Sequence, residues 1–108
     1  MHQIDRLIHE PVRLRVLTLL SGVKEAEFSF VLKALRLTNG NLSIHTQKLE
    51  DAGYISVSKA FLGRVPRTTF SITRRGRKAL EEYWQALDEI RVGGETPHHT
   101  YRVFGILR

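Results

Sequence analysis

The chain has 108 residues, a formal net charge of +6 and no cysteine. This length suits one domain with a modest core, and the lack of cysteine excludes disulfides and thiolate metal sites. No apolar run is long enough to cross a bilayer, and the first residues lack the apolar core of a signal peptide. We therefore expect a cytoplasmic protein, with no membrane association, whose basic charge suits a polyanionic partner.

The first predicted helix runs from about residue 11 to residue 20, after a short amphipathic turn. Pro11 suits the first helical position, because the N–H that proline lacks would be unpaired there anyway. Apolar residues lie on two sides of this helix, one with Val12, Val16, Leu19 and Leu20 and the other with Leu14 and Leu17. Two apolar sides predict burial against the chain's own domain and against a further surface.

Two short helices follow, and together they predict a helix-turn-helix. The first runs from about Ser29, a plausible N-cap, to Leu35, and a connection of about three residues leads to the second. Thr38 can cap the second helix, and Gly53 can end it by adopting positive φ. Its inward stripe contains Leu42, Thr46, Leu49 and Ala52.

The outer face of this second helix is suited to a DNA major groove. Asn41 and Gln47 have amides that can read adenine edges, Ser43 can contact a base or a phosphate, Ile44 can contact a thymine methyl, and Lys48 suits phosphate. The predicted DNA contacts here are Thr38, Asn39, Asn41, Ser43, Ile44, Gln47 and Lys48. The alternative is an ordinary amphipathic helix with a solvated polar face.

After Gly53 the pattern changes to the alternation of strands, from 55 to 58 and from 67 to 72. The connection 60–66 contains the glycine and proline of a hairpin tip, with Arg64 at the tip. No acid occurs from residue 59 to residue 78, and phosphate contact requires such a basic stretch. We predict that Arg64 enters a minor groove, the alternative being a solvated arginine on a mobile loop. Arg67, Arg74 and Arg75 are expected to contact phosphate or to carry surface charge.

The last predicted helix runs from about Thr73 to Ile90. Its aromatic residues add more apolar area than a three-helix core with a hairpin needs, which predicts a homodimer. The predicted interface comprises Ile4, Leu7, Leu14, Leu17, Leu80, Tyr83, Trp84 and Leu87. We therefore predict one α+β domain over 1–90, a winged helix-turn-helix with a three-helix core, a wing and a C-terminal dimerisation helix. Residues 91–108 are an unassigned tail.

The run from Asn41 to Ile55 resembles the recognition-helix signature of the bacterial and archaeal ArsR/MarR-like winged-helix transcription regulators. Residues 9–17 are similar to the opening of that group, and residues 63–77 to its wing and following helix. The similarity covers roughly residues 4 to 87 and is closest to the small stand-alone subgroup. It implies a DNA-binding regulator. Thr46 stands where the family usually has leucine, which predicts looser packing under this helix.

No nucleophile motif, phosphate-binding glycine loop or compact acid–base cluster is found in the sequence, so we predict that the protein is not an enzyme. His45 lies at the edge of an inward stripe, which favours a local hydrogen bond or a phosphate contact over a metal ligand. His98 and His99 are adjacent and make poor chelation geometry. No metal site and no cofactor are predicted.

The sequence favours a sequence-specific regulator that binds double-stranded DNA, a homodimeric repressor on an inverted-repeat operator. One alternative is a winged helix that serves as a protein-interaction module. Another is a non-specific nucleic-acid-binding protein. A small-molecule effector between the dimer helices, near Tyr83 and Trp84, is a further possibility that the sequence leaves open.

Overall fold

The computed structural model describes residues 3–92. In chain order these form α1 (Pro11–Ser21), β1 (Ala26–Glu27), α2 (Phe28–Leu35), α3 (Asn39–Asp51), β2 (Ile55–Leu62), β3 (Val65–Ile72) and α4 (Arg74–Arg91). The strands form one antiparallel sheet in the order β1-β3-β2. This is the predicted α+β arrangement, a helical core with a hairpin and a long last helix. The predicted tail lies almost entirely outside the described residues.

Side chains cap the N-terminal ends of α1 and α3. Glu10 caps α1 by accepting a hydrogen bond of 2.8 Å from the backbone N–H of Arg13. Thr38 caps α3, as predicted, by accepting one of 3.1 Å from the backbone N–H of Asn41. At the other end of α3, Gly53 has φ +81°, and the N–H groups of Gly53 and Tyr54 donate to the carbonyls of Glu50 and Leu49. This paired closure is a Schellman motif, and it fixes the direction in which the chain leaves α3.

The start of α2 differs from the prediction. Ser29 lies inside the helix, and the N-cap is Glu27, whose side chain makes no capping hydrogen bond. The residues before the helix form β1, which pairs with β3 through Ala26 and Phe70. A two-residue strand is too short to show an alternating pattern, so periodicity does not predict it.

The wing is longer than predicted, because β2 and β3 extend through most of the expected loop. Only Gly63 and Arg64 lie between the strands. Gly63 has φ +67° and Arg64 does not have positive φ, which is the pattern of a type II′ turn. Pro66 is accommodated because β1 pairs with β3 only at residues 69 and 70, so the missing N–H of Pro66 faces an unpaired edge.

The core lies between α1, α3 and the sheet. Its fully buried side chains are Ile8, Val16, Leu17, Leu20, Val31, Leu42, Leu49 and Phe70. Thr46 is the buried polar residue of the described part, and its hydroxyl donates 2.7 Å to the carbonyl oxygen of Leu42. A cleft of about 160 Å³ opens beside Thr46 between α3 and the sheet.

Three residues predicted for a dimer interface belong to the core of the subunit itself. Leu17 is 0% exposed, Leu80 is 6% exposed and Tyr83 is 3% exposed. Side chains this deeply buried have almost no surface left to bury against a partner. The expectation that these three form an interface is therefore corrected, because they stabilise the packing of α1 and α4 within one chain.

The segment before α1 is held in place by polar contacts. Asp5 accepts hydrogen bonds from the backbone N–H groups of Leu7, at 2.9 Å, and Ile8, at 3.3 Å. Its second carboxylate oxygen accepts a hydrogen bond from the hydroxyl of Tyr54. Burial, followed by the hydrogen bond to Asp5, raises the pKa of Tyr54 to about 12.

This shift predicts a loss of stability at high pH. The unfolded tyrosine ionises near its ordinary pKa of 10.0, whereas the folded one ionises only near 12. The contribution of Tyr54 is therefore complete below pH 10 and is lost as pH rises toward 12. Urea unfolding of wild type and Tyr54→Phe across roughly pH 8–12 measures it. We expect the difference in unfolding free energy to shrink over this range, and a difference independent of pH would contradict the assignment.

Candidate nucleic-acid interface

The outer face of α3 is open to solvent. Every residue that the sequence predicted to contact DNA from this helix or its cap is exposed: Thr38, Asn39, Asn41, Ser43, Ile44, Gln47 and Lys48. Ile44, at the middle of this face, is 57% exposed, while Leu42 and Leu49 on the opposite face are fully buried. With about 3.6 residues per turn, one side of α3 thus anchors the helix and the other presents amide, hydroxyl, methyl and ammonium groups together.

The orientation of α3 against α1 is fixed by a polar cluster around His45. The guanidinium of Arg13 donates a hydrogen bond of 3.0 Å to Nδ1 of His45 and another to the carbonyl oxygen of Leu7. Since the arginine side chain has no acceptor, Nδ1 of His45 is the acceptor of this hydrogen bond. Glu10 lies 3.6 Å from the same Nδ1. His45 is therefore the half-buried, locally hydrogen-bonded histidine that the sequence favoured.

Gln47 is already engaged within its own helix. Its amide nitrogen donates a hydrogen bond of 2.9 Å to the carboxylate of Asp51 and lies 3.4 Å from the carboxylate of Glu50. Reading an adenine edge would require the amide to exchange these carboxylates for a base. That Glu50 and Asp51 lie in the last turn of the helix is evident from the sequence, but their interaction with Gln47 is not. We consequently expect a modest net gain from any base contact that Gln47 makes.

The basic residues of the wing and of α4 have different surroundings. Arg64 is exposed at the turn. Arg67 forms an ion pair with Glu27 at 2.7 Å, which joins β1 to β3 and reduces the charge available for phosphate. The predicted phosphate contact of Arg67 would have to compete with this pair.

The N-terminus of α4 carries cations where a helix favours anions. Arg74 and Arg75 are exposed in its first turn, and this turn contains no acid. The helix dipole makes such an arrangement unfavourable unless an anion lies nearby. Arg77 instead donates 3.0 Å to the carbonyl oxygen of Ser21 and closes the end of α1. The first turn of α4 therefore presents two exposed cations, Arg74 and Arg75, whose contact with phosphate stays a prediction.

Besides Val23 and Phe30, residues 3–92 expose large apolar side chains outside α3 on two surfaces, α4 and the end of the wing. On α4, Trp84 is 44% exposed and Ile90 is 65% exposed, and the Trp84 ring stands edge-on to Tyr83 with centroids 5.3 Å apart. Ile4, Leu7, Leu14 and Leu87 are partly buried against the core. The second surface is the end of the wing, where the sequence alone predicts only a loop.

The exposed helix after a tight turn, together with the basic hairpin, defines a winged helix-turn-helix protein. A family model described as a winged helix DNA-binding domain matches residues 12–91, and the chain belongs to that family. An uncharacterized protein of Methanocaldococcus jannaschii is 38% identical over 79 residues, which cover 72% of this chain and 85% of the relative.

Solved structures agree with this assignment. A transcriptional regulator homologue from Pyrococcus horikoshii OT3 superimposes with a TM-score of 0.77 at 32% identity, covering 85% of this chain and 91% of that chain. An ArsR family transcriptional regulator gives a TM-score of 0.54 at 25% identity, covering 84% and 88%. These similarities confirm the predicted fold and the resemblance to ArsR/MarR-like regulators. The family is a class of DNA-binding regulators, not a class of enzymes.

Metal-binding clusters and membrane-spanning helices are both absent from residues 3–92. In this part of the chain no group of three or more histidine or acidic side chains is arranged to hold a metal ion. The described helices include none with the length and apolar character needed to span a membrane. The histidine pair at 98 and 99 lies outside the described residues.

Proposed function

We propose that the protein is a homodimeric transcriptional repressor that binds a specific inverted-repeat site in double-stranded DNA. The observation that carries this proposal is the outer face of α3. All its predicted contact residues are exposed, while the opposite face is anchored in the core. DNA binding follows from the family, whereas sequence specificity, dimerisation and repression are what we add.

The chemistry of the exposed face supports sequence specificity. Asn41 and Gln47 offer paired donors and acceptors, and Ile44 offers a methyl-rich surface, all of which distinguish base edges in the major groove. A protein that binds any nucleic acid needs only cations for the phosphates. On α3 the one basic residue of the outer face is Lys48, so this face suits reading better than general attraction.

The exposed apolar surface of α4 supports a homodimer. Trp84 and Ile90 are large apolar side chains open to solvent on one helix, and isologous pairing of such a surface is the common way to bury it. One domain of this size reads few base pairs, so a two-fold symmetric site gives useful affinity. Occupancy of such a site in a promoter blocks polymerase, which makes repression the simplest mechanism.

Selection of bound fragments from a genomic library at physiological salt tests the proposal. We expect enrichment of one inverted repeat whose half-sites lie about one helical turn apart. Binding that shuffled competitor DNA displaces as readily as the enriched fragment would show that the protein does not recognise sequence. Enrichment of a single half-site would contradict the symmetric dimer but not DNA recognition.

Two neighbouring substitutions on α3 separate base reading from phosphate attraction. Gln47→Ala should lower the ratio of specific to non-specific affinity by about 1 kcal/mol, the low end of the range for a bidentate contact, because Asp51 competes for the amide. Lys48→Ala should weaken both kinds of binding and reduce the log–log salt slope by about one per protomer. Titrations of operator and scrambled DNA over a salt series measure both effects.

Lys24→Ala is the matched control for Lys48→Ala. Lys24 is an exposed lysine in the connection between α1 and β1, outside the helix-turn-helix and the wing. Lys24→Ala removes the same charge from the chain as Lys48→Ala. If the salt slope is unchanged in Lys24→Ala, the effect of Lys48→Ala comes from the position of Lys48 and not from the lost charge alone. If Gln47→Ala loses the same factor on both DNAs, Gln47 does not read sequence. If neither α3 variant alters binding, α3 does not lie in the groove.

A further inference from the structure

The end of the wing is apolar on both of its faces. We use wing tip for residues 61–66, in which Phe61 is 73% exposed, Leu62 is 60% exposed and Val65 is 61% exposed. The register pairs Phe61 with Pro66 and Leu62 with Val65. Since successive residues of a strand point to opposite faces, the first pair covers one face and the second pair covers the other.

This apolar tip carries positive charge. Arg64 stands at the apex and Lys59 lies further back on β2, whereas the charge of Arg67 on β3 is reduced by its ion pair with Glu27. No acidic residue occurs anywhere between Asp51 and Glu81. A surface with apolar faces, an arginine at its apex and a lysine behind it matches a partner that is anionic at its rim, has less polar walls and has acceptors at its floor. Exposed apolar groups clustered in this way mark an interaction site.

The minor groove of DNA has this distribution of chemistry. Phosphates line its rims, sugars form its walls, and hydrogen-bond acceptors line its floor. The guanidinium at the apex of the wing can donate to those acceptors, while the apolar side chains on the two faces meet the sugars. Strands rise about 3.3 Å per residue, so the ammonium-bearing Lys59 lies about 13 Å behind the turn, where the phosphates of the rim would be.

We propose that the wing tip enters the minor groove as an apolar wedge that widens the groove and bends the DNA. This inference rests on the proposed DNA-binding function and adds an active deformation to it. Its physical basis is size. The minor groove is about 6 Å wide, whereas a layer of sheet with side chains on both faces is about 10 Å thick. The tip therefore fits only if its apolar faces push the walls of the groove apart, and apolar side chains that open the minor groove bend the duplex.

The wedge has a consequence for sequence preference. Widening is easiest at flexible TA and CA/TG steps and hardest in stiff A-tracts with narrow grooves. TA steps also present the acceptor floor that Arg64 can reach. Sites flanked by TA steps should thus bind more tightly than sites flanked by A-tracts, although both are A·T-rich. A tip that only inserted the arginine would favour the narrow A-tract instead.

The wedge is tested by measuring how far the protein bends a DNA duplex. The duplex carries a dye at each end, and energy transfer between the two dyes rises as the ends approach each other. The duplex carries the repeat enriched from the genomic library, flanked either by TA steps or by an A-tract. We compare wild type, the double variant Phe61→Ala with Leu62→Ala, and Phe30→Ala as a matched control. Phe30 is 54% exposed on α2, so the control removes an accessible aromatic ring from outside the wing.

For wild type and Phe30→Ala at saturating protein, we expect a rise in energy transfer and tighter binding to the TA-flanked duplex. The double variant should bind more weakly by about a hundredfold or more, as expected for lost burial of two apolar side chains. Its saturated complex should show no rise in energy transfer. All substituted residues are exposed, so the circular dichroism and melting temperatures of the variants should match those of wild type.

Several results would overturn the wedge. Straight DNA in the wild-type complex, or equal bending by the double variant, would contradict the proposed wedge without contradicting the proposed DNA-binding function. No binding of wild type to any genomic fragment removes both. If the double variant bends DNA normally but no longer binds vesicles of phosphatidylserine and phosphatidylcholine, the tip serves a membrane surface. If it bends DNA normally but changes sedimentation, the tip contacts a second copy.

Discussion

Replacement of Gly76 by alanine is expected to lower the free energy of unfolding by about 3 kcal/mol or more, as severe overpacking does. A Cβ at Gly76 would lie 2.1 Å from the carbonyl oxygen of Tyr54 and 3.0 Å from Cγ1 of Ile72. The first contact involves backbone, so no side-chain rotation relieves it. The Tyr54 carbonyl also accepts the hydrogen bond of the Thr73 N–H, at 3.0 Å, and a shift would break this link.

The damage should spread because α4 begins at this junction. Thr73 caps α4, because its hydroxyl oxygen accepts a hydrogen bond of 2.9 Å from the backbone N–H of Gly76. The same hydroxyl donates a hydrogen bond of 2.7 Å to the carbonyl oxygen of Gly53. Moving the first turn of α4 therefore disturbs the end of α3 as well. Urea unfolding followed by circular dichroism measures the effect.

Gly40→Ala is the matched control, since it makes the same chemical change in another helix. Nothing lies within 4 Å of a Cβ built at Gly40, in the first turn of α3. Alanine there should be neutral or stabilise by up to about 1 kcal/mol through helix propensity. Similar unfolding free energies for the two variants would show that the close approach at Gly76 is not the cause.

The second large effect concerns Trp84, the exposed indole at the centre of the proposed dimer surface. Trp84→Glu should convert a dimer at micromolar concentration into a monomer, because each carboxylate would be buried without a partner in an isologous interface. Loss of the second half-site should then weaken operator binding by about a hundredfold or more. Sedimentation velocity and operator titration measure these two results on the same samples.

Phe30→Glu provides the comparison for this variant. Phe30 is 54% exposed and Trp84 is 44% exposed, so both substitutions place a charge on an accessible aromatic position. We expect Phe30→Glu to remain dimeric. Wild type that sediments as a monomer at every concentration would contradict the dimer. Trp84→Glu that stays dimeric would place the interface elsewhere.

Local features of the sequence were sufficient to predict the elements that position the proposed reading face. A threonine cap, a glycine at the C-terminal end and apolar residues at helical spacing predict α3, and the structure places the cap and the glycine where expected. These signals act over a few residues, through hydrogen bonds and backbone freedom that need no distant partner. The exposure of the predicted contacts on α3 follows from the same periodicity.

Only the tertiary structure shows which apolar side chains remain exposed for contact with a partner. Helical spacing put Leu17 and Tyr83 on apolar stripes, but only packing of α1, α4 and the residues around them shows that both are enclosed within one chain. Burial depends on which faces meet, and a stripe does not name its partner. The strand β1 is similar, because it exists only through pairing of Ala26 and Glu27 with the distant Phe70 and Thr69.

At the proposed DNA surface, the charge could be predicted from the sequence, whereas the shape could not. The basic stretch from Lys59 to Lys78 is evident from the sequence, since charge is a property of each residue alone. The pairing of Glu27 with Arg67 is not, because their contact spans 40 positions. Nor does the sequence show that Phe61 and Leu62 cover opposite faces of an extended hairpin, because that depends on the strand register. Charge, periodicity and the order of the elements thus predicted a winged helix-turn-helix, whereas long-range pairing determined which groups it presents to a partner.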